Sequence, residues 1–211
     1  MKTALVAGAS GLIGSSLVKM LLAEEQYSSV HILVRKEINW VDPKLIQHVA
    51  DFDQMDSTTL DFHVDDAFCT LGTTIAKAGS QAAFSRVDHD YVLSFAKKAR
   101  SLGAEGFFVV SSMGADSSSR IFYNKVKGQM EEGLKSIGFP ILAIFRPSLL
   151  LGPRTEKRAG EKFAGWMMTT FDFAIPPKYK AIHVAQVAGK RVQVALQGKK
   201  GVYVLESDQL Q

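Results

Sequence analysis

Tyr123 and Lys127 stand four residues apart in the segment Tyr123-Asn124-Lys125-Val126-Lys127. On a helix that spacing is about one turn and puts both side chains on one face. An ammonium beside a phenol favours the phenolate, and such a tyrosine can pass a proton to a carbonyl as hydride arrives from a nicotinamide. Upstream, the apolar run ending in Val109-Val110 delivers Ser111 and Ser112. A hydroxyl there could hold the carbonyl oxygen, with Ser112 the first candidate and Ser111 the second. A Tyr and a Lys four apart also occur on ordinary surface helices. The chemistry therefore depends on whether a nucleotide site precedes them.

Gly8-Ala9-Ser10-Gly11-Leu12-Ile13-Gly14 supplies that precedent. It follows the apolar run Ala4–Ala7 and opens a periodic segment from Leu12 to Leu22. Strand, glycine turn and helix together receive a pyrophosphate. Gly8 allows the tight turn, Gly11 leaves the phosphates room, and Gly14 lets helix and strand pack closely. The N–H groups at Leu12 and Ile13 and the positive end of the helix then face the anion.

The residue after the second strand decides between nucleotides, because it faces the adenosine ribose. Val30-His31-Ile32-Leu33-Val34 ends in Arg35-Lys36, with no acid at that end. Arg35 offers a planar clamp for a 2′-phosphate, to which the Ser10 hydroxyl could add. NADP(H) is expected, with NAD second. Asp51-Phe52, after the third strand, either flank the adenine or make an ordinary strand-end turn.

These residues need a scaffold in which strands and helices alternate. Ala4–Ala7, Val30–Val34, Ile46–Ala50, Ala67–Leu71, Gly106–Val110, Ile141–Phe145 and Gly201–Leu205 read as strands. Leu12–Glu24, Ser80–Leu102, Ile121–Ile137 and Val184–Leu196 read as helices, and Asp56–Phe62 as a short turn or helix. The expected fold is α/β: one Rossmann-like domain over residues 1–211, a doubly wound parallel sheet with helices on both faces. Gly160–Thr170 looks helical and Phe171–Tyr179 is proline-rich. The region of about 152–183 is expected to form a short lid, apolar through Phe163, Trp166, Met167, Met168, Phe171 and Phe173. These residues either receive an apolar substrate or cap the core. Arg154, Lys157 and Arg158 either meet an anionic group or face solvent.

The net charge of +4 favours anionic ligands only mildly. Basic residues fall in scattered pairs such as Lys97-Lys98 and Lys199-Lys200, without a block that suggests nucleic acid. No apolar run approaches the ~20 residues that cross a bilayer. The single Cys69 lies among apolar neighbours and fits a reducing compartment, so a cytoplasmic protein is expected. No metal site is expected.

Gly8-x-x-Gly11-x-x-Gly14, Ser111-Ser112, Tyr123-x-x-x-Lys127 and Arg146-Pro147, in this order, resemble the short-chain dehydrogenase/reductase superfamily. The glycine spacing resembles its extended and atypical members. Ile182-His183-Val184 resembles the extended class, which usually carries an Asp two or three positions later, where this chain has Ala185-Gln186. Four further segments are similar to the Tat-interacting-protein subgroup of the atypical members. They are Cys69-Thr70-Leu71-Gly72-Thr73-Thr74, Lys77-Ala78-Gly79, Val87-Asp88-x-Asp90-Tyr91-Val92-Leu93 and Ser111-Ser112-x-Gly114-Ala115-Asp116. The likeness covers residue 3 to about residue 155 and thins beyond.

The resemblance implies an NADP(H) site in which Gly72-Thr73-Thr74 pass beneath the ribose and nicotinamide half, with Leu71 before them also meeting the cofactor. It implies that Lys127 bonds the nicotinamide ribose, Tyr123 is the acid/base, Ser112 orients substrate, and Pro147-Ser148-Leu149 close over the nicotinamide amide. The Asn that many relatives carry in the helix before the fifth strand is not evident; Asp88 and Asp90 occupy that helix, and Asp88 could simply be solvated. Relatives also suggest a homodimer packed through the two helices bearing Phe84, Tyr91, Phe95, Phe122, Val126, Met130 and Leu134. The expected function is hydride transfer on a small carbonyl or alcohol. A cofactor-sensing regulator that binds a protein partner is the alternative. A nucleotide-sugar epimerase is disfavoured, since a short lid leaves no room for a large substrate domain.

Overall fold

The computed structural model describes residues 1–152, 176 and 179–211. Its strands are β1 (Lys2–Ala7), β2 (Tyr27–Val34), β3 (Leu45–Val49), β4 (Asp66–Cys69), β5 (Gly106–Val110), β6 (Ile141–Arg146), β7 (Leu150–Leu151), β8 (Ile182–His183) and β9 (Gly201–Glu206). Its α-helices are α1 (Leu12–Ala23), α2 (Ile75–Ala78), α3 (Gln81–Ser85), α4 (Tyr91–Ser101), α5 (Phe122–Ile137) and α6 (Val184–Gln197). Seven strands form one parallel sheet in the order β3-β2-β1-β4-β5-β6-β9, and β7 and β8 pair separately.

Side-chain alternation along β1 explains the two layers. Ala4 and Val6 face a core shared with Leu17 and Leu21 of α1 and Val187 and Ala188 of α6. Leu5 and Ala7 face the opposite core, with Phe95 of α4 and Met130 and Leu134 of α5. All four β1 residues are fully buried, as strands covered on both faces must be. The chain runs from β1 outward to β3, then crosses back to β4 on the other side of β1. The carboxyl ends of β1 and β4 therefore flank the point where strand order reverses, and a crevice opens there in such sheets.

Two buried polar clusters pin the layers. At the amino end of the sheet, Asp66 accepts from Lys2 Nζ at 2.8 Å and from the Tyr27 hydroxyl at 2.7 Å. Under the carboxyl half, Arg191 of α6 is wholly buried. Its Nη2 donates to the carbonyls of Cys69 and Phe108, and its guanidinium stands 5.6 Å from the Phe68 ring centroid. Burial pushes its pKa down to about 9.

Most expected elements appear with ends shifted by a few residues. The expected Ser80–Leu102 helix is broken into α3, a π turn (Arg86–Asp90) and α4. Where a short turn or helix was expected at Asp56–Phe62, a 3-10 helix lies earlier, at Phe52–Ser57. At the start of α6, Gln186 takes the place of the usual acid: its Oε1 accepts the His183 N–H at 3.0 Å. Of the apolar residues offered for a dimer face, Phe84, Phe95, Met130 and Leu134 are fully buried and Val126 nearly so, while Tyr91 and Phe122 stay partly exposed. The expected lid, with its aromatic residues and with Arg154, Lys157 and Arg158, falls mostly outside the described residues.

Candidate active site

The glycine turn leaves β1 as its spacing requires. Gly8 adopts φ +84°, which L side chains rarely take, and its carbonyl accepts the Gly11 N–H at 3.0 Å. A Cβ on Gly14 would fall 2.0 Å from the Gly8 carbonyl oxygen, so only glycine lets α1 pass this close to the turn. Thr70, one residue beyond β4, braces the turn from the other side. Its Oγ1 donates toward the carbonyls of Ala7 at 2.8 Å and Gly8 at 3.0 Å.

A cleft of about 950 Å³ opens along the carboxyl edge of the sheet. Ser10, Gly11, Leu12 and Ile13 line one part, Leu71, Gly72 and Thr73 another, and Ser111, Ser112, Tyr123, Lys127, Pro147 and Leu149 the rest. The fold thus brings the glycine turn and the Ser/Tyr/Lys group, more than 100 residues apart, to one cavity. Gly8 and Gly14 shape the turn without lining the cleft.

The adjacent serines differ. Ser111 is buried and its Oγ donates to Glu131 Oε1 at 2.5 Å. Glu131 in turn holds Arg146, at 3.0 Å from Nε and 2.6 Å from Nη2, and Arg146 Nη1 reaches Glu206 Oε1 at 3.0 Å. Arg146 therefore pairs with one buried acid, Glu131, and one partly exposed acid, Glu206. This Glu131 clamp raises the Arg146 pKa and ties α5, β6 and β9 to the end of β5. Among the described residues, Ser112 Oγ is buried with no hydrogen-bond partner. A buried hydroxyl in that state costs free energy unless something supplies a bond.

Lys127 is buried and its Nζ lies 2.7 Å from Asp88 Oδ1, while Asp88 Oδ2 accepts the Thr73 N–H at 2.8 Å. Asp88 is 1% exposed, which corrects the solvated reading. Tyr123 precedes Lys127 by one turn of α5, and its ring packs 5.3 Å from that of Phe84.

Comparison with known proteins agrees with this geometry. A model of the NAD dependent epimerase/dehydratase family matches residues 4–122. The chain belongs to that family. The rat protein HTATIP2 is 36% identical over 190 residues, covering 88% of this chain and 76% of its own length. The mitochondrial protein FMP52 of Debaryomyces hansenii is 33% identical over 170 residues, covering 78% and 74%. Among solved structures, the Bordetella bronchiseptica enzyme WbmH in complex with NAD+ superposes with a TM-score of 0.71 at 16% identity, over 98% of this chain and 76% of that one. This last likeness shows the Rossmann-like fold.

The family match contains the glycine turn, Asp88 and both serines, and it ends one residue before Tyr123. The residues present fit a dinucleotide of this epimerase/dehydratase type. The turn admits no Cβ at Gly8 or Gly14, the cleft has the volume such a ligand needs, and Ser112 offers an unpaired hydroxyl within it. Arg35 is exposed one residue beyond β2, outside the cleft lining. Asp51 caps the 3-10 helix by accepting the Asp53 N–H at 3.0 Å, and Phe52 is buried 5.7 Å from the Tyr91 ring. Neither lines the cleft.

Sequence reasoning missed Thr70, Glu131 and the role of Asp88. Thr70 carries one signal, a hydroxyl between Cys69 and Leu71 at a strand end, whereas Asp88 and Glu131 stand among other charged or polar residues and carry none. Thr74 and Ser148, which the resemblance set beneath and over the cofactor, also line the cleft, as does Lys77, which was not expected there.

Proposed function

We propose that this chain is an NADP(H)-dependent oxidoreductase that moves hydride to or from a small carbonyl or alcohol. The observation that supports it is the convergence of Ser112, Tyr123 and Lys127 on the same cleft as the glycine turn. The nicotinamide would supply or accept the hydride. The protein would then do three things. Ser112 Oγ would hold the substrate oxygen, gaining the bond it lacks. Tyr123 would give or take the proton at that oxygen. Lys127 would hold the nicotinamide ribose. Gly11, Leu12 and Ile13 would receive the pyrophosphate, Leu71-Gly72-Thr73 would lie beneath the ribose, and Pro147 and Leu149 would close over the nicotinamide.

Preference for NADP(H) over NAD rests on Arg35 and Ser10, with no acid at the end of β2 to bond a 2′-hydroxyl. The proposal includes a homodimer; sedimentation showing only 23.1 kDa particles at micromolar concentration would overturn that part. It also includes a reducing compartment, the cytoplasm first. Among the described residues no helix is long and apolar enough to cross a membrane, and the FMP52 relatives are named as mitochondrial, so fractionation of tagged protein tests this.

The deciding experiment is fluorescence titration with NADPH and NADH, followed by a screen of aldehydes and ketones. Selective NADPH binding with turnover supports the reading. Binding without turnover of any carbonyl would favour a cofactor-sensing regulator, and no binding would remove both.

A further inference from the structure

The π turn at Arg86–Asp90 interrupts what periodicity draws as one helix. A π turn adds a residue to the helical ladder and re-aims the side chains around it, and such turns occur most often at functional sites. Here Arg86 and Asp90 stay exposed while Asp88 turns into the cleft floor. Both its carboxylate oxygens are engaged, one by the Lys127 ammonium and one by the Thr73 N–H. Gly72 closes over the pair: a Cβ there would stand 3.4 Å from Asp88 Oδ1 and 4.0 Å from Lys127 Nζ. Three separate segments therefore meet at one buried ion pair inside the cavity.

We propose that Asp88 is a positioning residue that holds Lys127 as a permanent cation, leaves two of its three N–H donors for the cofactor ribose hydroxyls, and fixes the Leu71–Thr74 loop beneath them. This rests on reading the cleft as a dinucleotide site. An ammonium has three donors and one is committed to Asp88. Burial by itself would pull the Lys127 pKa down. The Asp88 carboxylate, then Tyr123 on the same helix and the Cys69 thiol of β4, outweigh it and keep the ammonium above the ordinary lysine value. An Asn at position 88 would keep the shape and an acceptor for the Thr73 N–H. It would remove the charge and leave a buried lysine uncompensated.

The test is a pH titration of the Lys127 side chain by NMR, in full-length protein carrying 13C-lysine and no cofactor, with Lys127→Arg assigning the signal. In the wild type, Lys127 is expected to hold its proton to above the ordinary lysine pKa, and in Asp88→Asn to lose it well below that value. NADPH affinity of Asp88→Asn should then lie within about threefold of wild type at a pH where both lysines are protonated, and fall about tenfold behind it at a pH about one unit above the Lys127 midpoint measured in the variant. A Lys127 that titrates alike in both proteins overturns the proposal, as does an affinity loss that is the same at both pH values. If Asp88→Asn does not fold, the wild type decides, because deprotonation of Lys127 below the ordinary lysine pKa is incompatible with a held cation. The NMR result does not depend on cofactor. Failure of wild type to bind NADPH would overturn the reading of the cleft and the ribose contact with it, while the Lys127–Asp88 coupling would still be read directly.

Discussion

Ser111 and Ser112 are neighbours in sequence and opposites in the fold. Ser111 Oγ is bound to the buried Glu131, whereas Ser112 Oγ is buried beside the cleft without a partner among the described residues. The clamp of Glu131 on Arg146 fixes the first hydroxyl and so selects the second as the one able to hold a substrate oxygen. This places the candidate chemistry on Ser112, Tyr123 and Lys127.

Tyr123→Phe removes one oxygen from this group and leaves the ring packed on Phe84. Carbonyl turnover should fall by roughly 10²–10⁴-fold, the usual worth of a positioned acid/base. NADPH affinity from the same fluorescence titration should change by less than about threefold. Retained turnover would remove Tyr123 from the acid/base role.

Arg35 is exposed, and an exposed guanidinium earns specificity only by meeting a phosphate. Arg35→Glu should weaken NADPH by about tenfold or more and NADH by less than about threefold. The gap should narrow at high salt, because exposed charges are screened. Equal loss for the two nucleotides would show that Arg35 does not read the 2′-phosphate.

Gly14→Ala forces a methyl group to within 2.0 Å of the Gly8 carbonyl oxygen and 2.8 Å of Thr70 Oγ1, both held by hydrogen bonds. The backbone must move, at a cost of about 3 kcal/mol or more. Urea unfolding should show the loss, and NADPH binding should weaken with it. A variant as stable as wild type, with unchanged affinity, would mean that the turn has more freedom than its contacts indicate.

His31 of β2 and His48 of β3 share a hydrogen bond of 2.8 Å between Nδ1 and Nε2, with Phe62 stacked 3.8 Å from the His31 ring. Burial first, and the neighbouring His48 second, lower the His31 pKa to about 4. Burial also lowers that of His48. An unfolded histidine takes up its proton near pH 6.5, before the folded one does. The unfolded state therefore gains protons first as pH falls. The stability contributed is full above about pH 6.5 and is lost toward pH 4, by about 3 kcal/mol at most for His31. Equilibrium denaturation across that window should show a steeper loss in wild type than in His31→Leu. Parallel curves would refute the assignment.

The glycine turn, the order of strands and helices and the Tyr123–Lys127 spacing were legible in sequence because each depends on local geometry. A turn needs glycine where φ is positive, a buried strand needs consecutive apolar residues, and a helix face repeats every turn. Asp88 shows where that legibility stops. Periodicity runs straight through residues 80–102, and nothing local announces the π turn that carries the carboxylate inward. What ties up Ser111 and leaves Ser112 was equally hidden, because Glu131 reaches Ser111 from α5 while gripping Arg146 of β6. Phe84 and Met130 read as a sticky helix face in sequence and became core once both helices lay on the sheet. Local backbone preference was written in the residues themselves. Which polar groups became partners, and which stayed unpaired, was decided only when distant segments closed around a site from which water is largely excluded.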